Sequence, residues 1–133
     1  MFKISGTDQN DNPTVYDVTL VAVSQDAAPD NSFDAAPAGQ HLVSAEFKIT
    51  GISGASTDDA NSDASINGAN QQVYQPTFTG LAAGTNFDSG QFTVSPGQTE
   101  IGYVAFQLPN GVAASSVVWS PGLGGASGTW TVG

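Results

Sequence analysis

Cationic side chains are nearly missing from this chain, and their scarcity excludes more functions than any motif does. The 133 residues include two lysines, Lys3 and Lys48, no arginine and twelve acidic residues, so the formal net charge is −10. Nucleic-acid binding depends on lysine and arginine neutralising phosphates, and anionic membrane surfaces attract the same side chains. We therefore expect no nucleic-acid partner, and a preference for cationic partners or divalent ions.

Cysteine and long apolar runs are also absent. The lack of cysteine excludes thiol catalysis, zinc–thiolate sites and disulfides. No stretch approaches the ~20 apolar residues that cross a bilayer, so we expect no membrane insertion. The segment Met1–Gly6 lacks the apolar core of a signal peptide. We expect that any export signal was removed or never existed.

The chain length and its frequent glycines and prolines favour one β-rich domain. Residues 1–133 fit a single domain, and a chain of this size buries enough surface to fold without a metal or disulfide. Sixteen glycines and seven prolines interrupt the sequence, and no window between them carries apolar residues at helical spacing. Helices are therefore disfavoured.

Alternation of apolar and polar residues predicts strands instead. It is clearest along 43–49, it also runs from Tyr16 to Ala22, and it places Phe106 among the apolar residues of 99–108. Shorter runs predict strands at 2–4, 64–67, 72–75, 91–94, 117–119 and 129–132, the last after a glycine-rich connection at 121–128. Ser95–Gln98 has the Pro-Gly pair of a type II turn.

Together these patterns predict an all-β fold. We expect an immunoglobulin-like antiparallel β-sandwich of about seven to eight strands with Greek-key connections. Phe47 and Phe106 should face inward from opposing strands, since each belongs to an alternating apolar set.

Several motifs resemble a known family. They lie at Tyr16–Val23, Asp34–Gly39, Val43–Thr50, Asp58–Ala64, Phe92–Gln98 and Gly102–Pro109. In order and spacing they resemble actinobacterial extracellular domains of unknown function, related to the secreted mycobacterial immunoprotective antigens. The resemblance implies a two-sheet sandwich, export or cell-surface display, and no established enzymatic activity. Some members of that family carry a cysteine pair where this chain has Gly84 and Tyr103.

The acidic segment 58–63 is the candidate metal site. Calcium prefers several oxygen ligands, and the segment offers them from Asp58, Asp59, Asn61 and Asp63. The EF-hand pattern fails further on, because Ala64 stands at the required glycine and Asn70 at the bidentate glutamate. A solvated turn, rich in Asp and Asn because these residues stabilise turns, is the alternative.

No catalytic constellation emerges from the sequence. His41 is the only imidazole and has no identifiable nucleophile or acid partner. Glu46 and Glu100 could form the carboxyl pair of a glycosidase, but the alternation puts Glu46 on the polar face of its strand. We therefore expect no enzymatic activity and no cofactor other than calcium.

Aromatic side chains near predicted loops offer a binding surface. Tyr74 and Phe78 stand among glutamine, threonine and proline and are the better candidates for contact with a protein or a glycan. Trp119 follows Val117 at strand spacing, so we expect it in the core.

Two functions fit these observations. The first is a secreted or cell-surface module that contacts a protein or glycan partner without catalysis. The second is a structural decoration or accessory protein on the capsid or tail of an actinobacteriophage, at the virion surface. The absence of cysteine fits synthesis of such a component in a reducing cytoplasm. The sequence leaves the oligomeric state open, including membership of a larger assembly.

Overall fold

The computed structural model describes residues 2–8, 10–121 and 127–132. Over these residues the chain forms eleven strands, one helical turn (α1, Ala60–Asp63) and a 3-10 turn at Ser32–Asp34. The strands are β1 (Phe2–Thr7), β2 (Pro13–Ser24), β3 (Gln40–Ser53), β4 (Ser56–Asp59), β5 (Ala64–Gly68), β6 (Val73–Tyr74), β7 (Pro76–Thr77), β8 (Gln91–Val94), β9 (Thr99–Pro109), β10 (Ala114–Trp119) and β11 (Gly128–Thr131).

Antiparallel sheets build the two layers of the fold. One layer has the order β1-β2-β3-β9-β7 and the other the order β11-β10-β5-β6, and a separate two-stranded sheet pairs β4 with β8. Strands β3 and β9 are neighbours although five strands separate them in the chain, which is the non-sequential pairing typical of Greek keys. The predicted all-β, immunoglobulin-like sandwich is confirmed.

Alternation along β3 correctly identified the core. Its four apolar side chains from Val43 to Ile49 are fully buried, and so is Phe106 on the neighbouring β9. Across the core, the ring of Phe47 meets Trp119 of the other layer edge-on, with centroids 4.9 Å apart. Phe47 and Phe106 therefore face inward, as predicted.

Strand β2 departs from its predicted alternation beyond Leu20. Leu20 lies opposite Phe47, but the next paired residue, Ala22, lies opposite Glu46. Val21 is thus the extra residue of a β-bulge, which reverses the faces of the residues that follow. As a result Val23 packs on the core and Ala22 is exposed, contrary to the expected inward position of Ala22.

Short elements account for the larger strand count. Strands β4 and β7 were not predicted, and α1 replaces the middle of what was expected to be a loop. The turn Ser95–Gln98 is confirmed, since Gly97 has φ +86° and the Gln98 N–H donates to the Ser95 carbonyl at 2.9 Å. Most of the predicted glycine-rich connection, 122–126, lies outside the described residues.

The core assignment makes a direct stability prediction. Phe47→Ala should lower the free energy of unfolding by about 3–5 kcal/mol, because it removes a fully buried ring and leaves a cavity beside Trp119. Urea denaturation checks this value. Phe33→Ala is the matched control, since that ring is exposed and should change stability by less than about 0.5 kcal/mol. Equal urea midpoints for the two variants would contradict the packing described above.

Candidate functional site

A chain of hydrogen bonds runs from the core to the acidic segment. The indole Nε1–H of fully buried Trp119 donates to the Tyr16 hydroxyl at 3.1 Å. That hydroxyl in turn donates to Oδ2 of Asp58, on β4, at 2.6 Å. Burial, and then the hydrogen bond to Asp58, raise the pKa of Tyr16 far above its usual range. Tyr16 therefore keeps its proton and donates it in the hydrogen bond to Asp58 over the ordinary pH range.

Asp63 forms a carboxyl pair with Asp58. It closes α1, its side chain is only 6% exposed, and it lies within hydrogen-bonding reach of Asp58. Among the described residues no donor reaches its Oδ2. Burial first, and then the hydrogen bond with Asp58, raise the pKa of Asp63 to about 9. Asp63 thus keeps its proton at neutral pH, and this proton is shared in the hydrogen bond with Asp58.

The other two candidate metal ligands have different partners. Oδ1 of Asp59 accepts the backbone N–H of Asn61 at 2.8 Å and caps α1. The Asn61 amide exchanges two hydrogen bonds with Asn86, of 3.2 and 3.0 Å. Sequence reasoning grouped these residues with Asp58 and Asp63. The structure separates a pair formed by half-buried Asp58 and buried Asp63 from the α1 cap at Asp59 and the Asn61 amide, which holds the loop of Asn86.

This arrangement sets a condition for calcium binding. Across the described ranges there is no group of three or more His, Cys, Asp or Glu side chains placed to hold a metal ion. Calcium at Asp58 and Asp63 would first displace the shared proton, since carboxylate ligands bind metals in their deprotonated form. The calcium site at Asp58, Asp59, Asn61 and Asp63 stays a prediction.

The two aromatic residues predicted to form a binding surface lie in different environments. Phe78, just after β7, is 78% exposed. Tyr74 is half-buried, packs against the core and accepts a hydrogen bond from Asn70 at 2.8 Å. Sequence reasoning missed Phe33 of the 3-10 turn, whose ring is 96% exposed. No periodicity marks Phe33, because it stands in an irregular loop.

A shallow groove lies beside Phe78. It has a volume of about 230 Å³ and is lined by Phe78, Thr79, Gly80, Asn86, Phe87 and Ser89. A second depression of about 350 Å³ shares three of these residues and adds Asp30, Leu81, Gly84 and Thr85. We call the surface formed by 27–34 and 78–89 the loop end.

Backbone hydrogen bonds hold the two segments of the loop end together. The Asp30 N–H donates to the Gly80 carbonyl at 2.9 Å, and the Ala82 N–H donates to the Ala28 carbonyl at 3.0 Å. Leu81 is buried against Leu42 in a small apolar cluster of its own. The loop end is therefore an ordered part of the fold.

Phe87 lines the far side of the groove and has an unusual backbone conformation. Its φ is 45°, a left-handed value that bulky residues rarely adopt. Its ring lies directly on Gly102 of β9, where a β-carbon would collide with it, and packs against Phe92 with centroids 5.5 Å apart. Contacts of this kind maintain a strained conformation.

The candidate catalytic residues lie apart from one another. Glu46 lies opposite Tyr103 on β9, so their side chains share one face of the sheet. Glu100 is three residues from Tyr103 on the same strand, so its carboxylate points to the other face. Burial raises the pKa of Tyr103, and a hydrogen bond to Glu46 raises it further. His41 is half-buried and lines a shallow depression with Asp26 and Asn110.

Comparison with known proteins shows a likeness in fold. No protein-family model and no curated protein sequence matches this chain. A solved structure from Bacillus subtilis subsp. subtilis strain 168, described as a "putative lipoprotein", superimposes with a TM-score of 0.64 at 12% sequence identity. The match covers 88% of this chain and 36% of the Bacillus chain, so this chain spans about a third of that protein's length. At this identity the likeness shows the fold alone.

Gly84 and Tyr103, the positions at which some members of the resembling family carry a cysteine pair, are neighbours in space. A β-carbon on Gly84 would collide with the ring of Tyr103, so the tyrosine ring lies against Gly84 here. In the described residues, no helix is long and apolar enough to span a membrane.

The carboxyl pair predicts an unusual pH dependence of stability. The native state keeps the Asp63 proton up to about pH 9, whereas the unfolded chain loses it near the ordinary aspartate pKa of about 4. Between these values the unfolded state binds fewer protons, so the Asp63 contribution to stability falls as pH rises. Asp63→Asn retains a donor for Asp58 and has no proton to lose.

We expect Asp63→Asn to be more stable than the parent at pH 8 and to lose less stability between pH 5 and pH 8. Urea denaturation at several pH values measures both effects. The control is Asp11→Asn, an exposed residue in the β1–β2 turn, which should follow the parent. Parallel pH profiles for Asp63→Asn and the parent would show that Asp63 is ionised in the native state.

The calcium hypothesis is tested by thermal melting in millimolar calcium and in chelator. Calcium at a hundred times its dissociation constant should add roughly 2.7 kcal/mol of stability, and more at pH 8 than at pH 6 because the shared proton must leave. Asp59→Asn keeps an acceptor for the α1 cap and should reduce the gain. Identical melting curves with and without calcium would leave only a hydrogen-bonded turn.

Proposed function

We propose that this protein is a non-enzymatic binding module, displayed at a cell surface or outside the cell, which contacts a protein or glycan partner through the loop end. The observation that carries the proposal is the exposure of Phe33 and Phe78 at that end. All other aromatic side chains of the chain are buried or half-buried.

Exposed rings of this kind favour an interface. Phe33 and Phe78 contribute almost nothing to the core and both belong to the loop end, and exposed apolar surface of this kind marks contact sites. Aromatic anchors also supply much of the binding energy where partners meet. The loop end presents them from backbone that is already hydrogen-bonded, so little ordering is required on contact.

Two further observations support the non-enzymatic and extracellular parts of the proposal. His41, Glu46 and Glu100 do not converge, and Asp63 is buried with its proton committed to Asp58. The fold is shared with a Bacillus protein described as a "putative lipoprotein", which agrees with the cell-surface display implied by the family resemblance. The virion alternative stays a prediction from the sequence.

Photo-crosslinking and a glycan array test the proposal. A benzophenone amino acid at position 78 should give a discrete adduct with a cell-envelope component, or the protein should bind a defined glycan. The matched control places the same group at Ile101, which is 54% exposed on β9 outside the groove. Phe33→Ala and Phe78→Ala should each weaken the interaction by roughly tenfold, as truncation of an anchor does.

Two results would contradict this function. One is equal crosslinking from positions 78 and 101 together with no glycan binding, which would mean that the loop end has no special affinity. The other is turnover of a substrate that Asp63→Asn or His41→Ala abolishes in a folded protein.

A further inference from the structure

The loop end is acidic and has no cationic residue. Its two supporting segments, 25–40 and 76–90, contain four aspartates and neither lysine nor arginine. The lysines of the chain lie elsewhere, Lys3 on β1 and Lys48 on β3. Lys3 is already paired with Asp17 at 3.2 Å.

Asp30 and Asp34 border the groove. Both lie around Gly80: a β-carbon there would be 2.9 Å from Oδ2 of Asp34 and 3.2 Å from Cβ of Asp30. Asp30 is exposed and Asp34 is partly exposed, and within the described part of the chain neither forms an ion pair. Two acidic side chains that flank Gly80 without a counter-charge favour a cation beside them.

An apolar surface adjoins this charged one. Gly80 also lines the groove beside Phe78 and Phe87, so the carboxylates and the rings share one short stretch of surface. The exposed ring of Phe33 precedes Asp34 in the chain. A ligand that fits must therefore present an apolar group and a positive charge close together.

We propose that the loop end binds a basic segment of a partner protein, with an apolar side chain of the partner against Phe78 and a neighbouring lysine or arginine at Asp30 and Asp34. This inference rests on the proposed function and specifies its partner. Neutral glycans would use the rings but gain nothing from the carboxylates, and acidic partners would be repelled. The net charge of −10 speeds the approach of a basic partner and repels a second copy of the chain.

Synthetic peptides test the partner chemistry directly. Three of equal length are compared by fluorescence anisotropy: one alternating lysine with phenylalanine, one with glutamate in place of lysine, and one with serine in place of phenylalanine. Only the first should bind, and raising sodium chloride from about 50 to about 500 mM should weaken it by roughly tenfold or more. Phe78→Ala and the pair Asp30→Asn, Asp34→Asn should each cost roughly tenfold in affinity.

The control pair Asp8→Asn, Asp11→Asn lies in the β1–β2 turn, gives the same change in net charge away from the loop end, and leaves the Lys3–Asp17 ion pair intact. It should bind within roughly twofold of the parent. Equal losses in the two pairs would mean that net charge alone attracts the peptide, and would overturn the inference. So would binding of the glutamate peptide, or no binding at all.

The proposed function can survive this failure. If position 78 captures a glycan or an envelope protein, and Phe78→Ala abolishes this capture while Asp30→Asn, Asp34→Asn leaves it unchanged, the loop end is a binding surface for a partner that is not basic. Failure of crosslinking, of glycan binding and of peptide binding together would remove both proposals.

Discussion

Trp119 connects the two layers of this sandwich through the one polar atom of its buried ring. The ring packs edge-on against Phe47 of the opposite layer, a contact that requires no polar atom. Its N–H requires an acceptor, because an unsatisfied donor at full burial costs about 1–3 kcal/mol. Tyr16 supplies that acceptor, and its own O–H donates a hydrogen bond to Asp58. The position of β4, which carries Asp58, is thereby tied to the centre of the core.

Burial of Asp63 has a cost that the fold reduces by keeping its proton. A charged Asp63 would be repelled by Asp58 and Asp59 and would lack a donor at Oδ2, whereas a neutral acid can form a hydrogen bond with Asp58. The pair thus serves to join α1 to β4. The same acidic sequence that suggested an ion site also serves as a cap and as an attachment for the loop of Asn86.

The sequence predicted the regular parts of the fold well, and the parts that depend on distant contacts poorly. Alternation along β3 determines which side chains enter the core, so Phe47 was assigned correctly. The bulge at Val21 was missed because Val21, Ala22 and Val23 are all apolar, and nothing local shows which of them turns outward. Strand β4 was missed because aspartates are poor strand formers, and Asp58 is stabilised there by a hydroxyl 42 positions earlier in the chain. The groove beside Phe78 is likewise formed by segments far apart in sequence.

The ring of Phe87 has a place only because residue 102 is a glycine. A β-carbon at position 102 would collide with the ring and displace it. The left-handed backbone conformation of Phe87 would then lose the packing that stabilises it. The shape of the groove therefore depends on the absence of a side chain at Gly102, within the sheet. Substitutions of exposed residues around the groove should be tolerated, whereas substitution of Gly102 should not. The segment gives up its conformational freedom during folding, so partners of different strength should differ mainly in how long they remain bound.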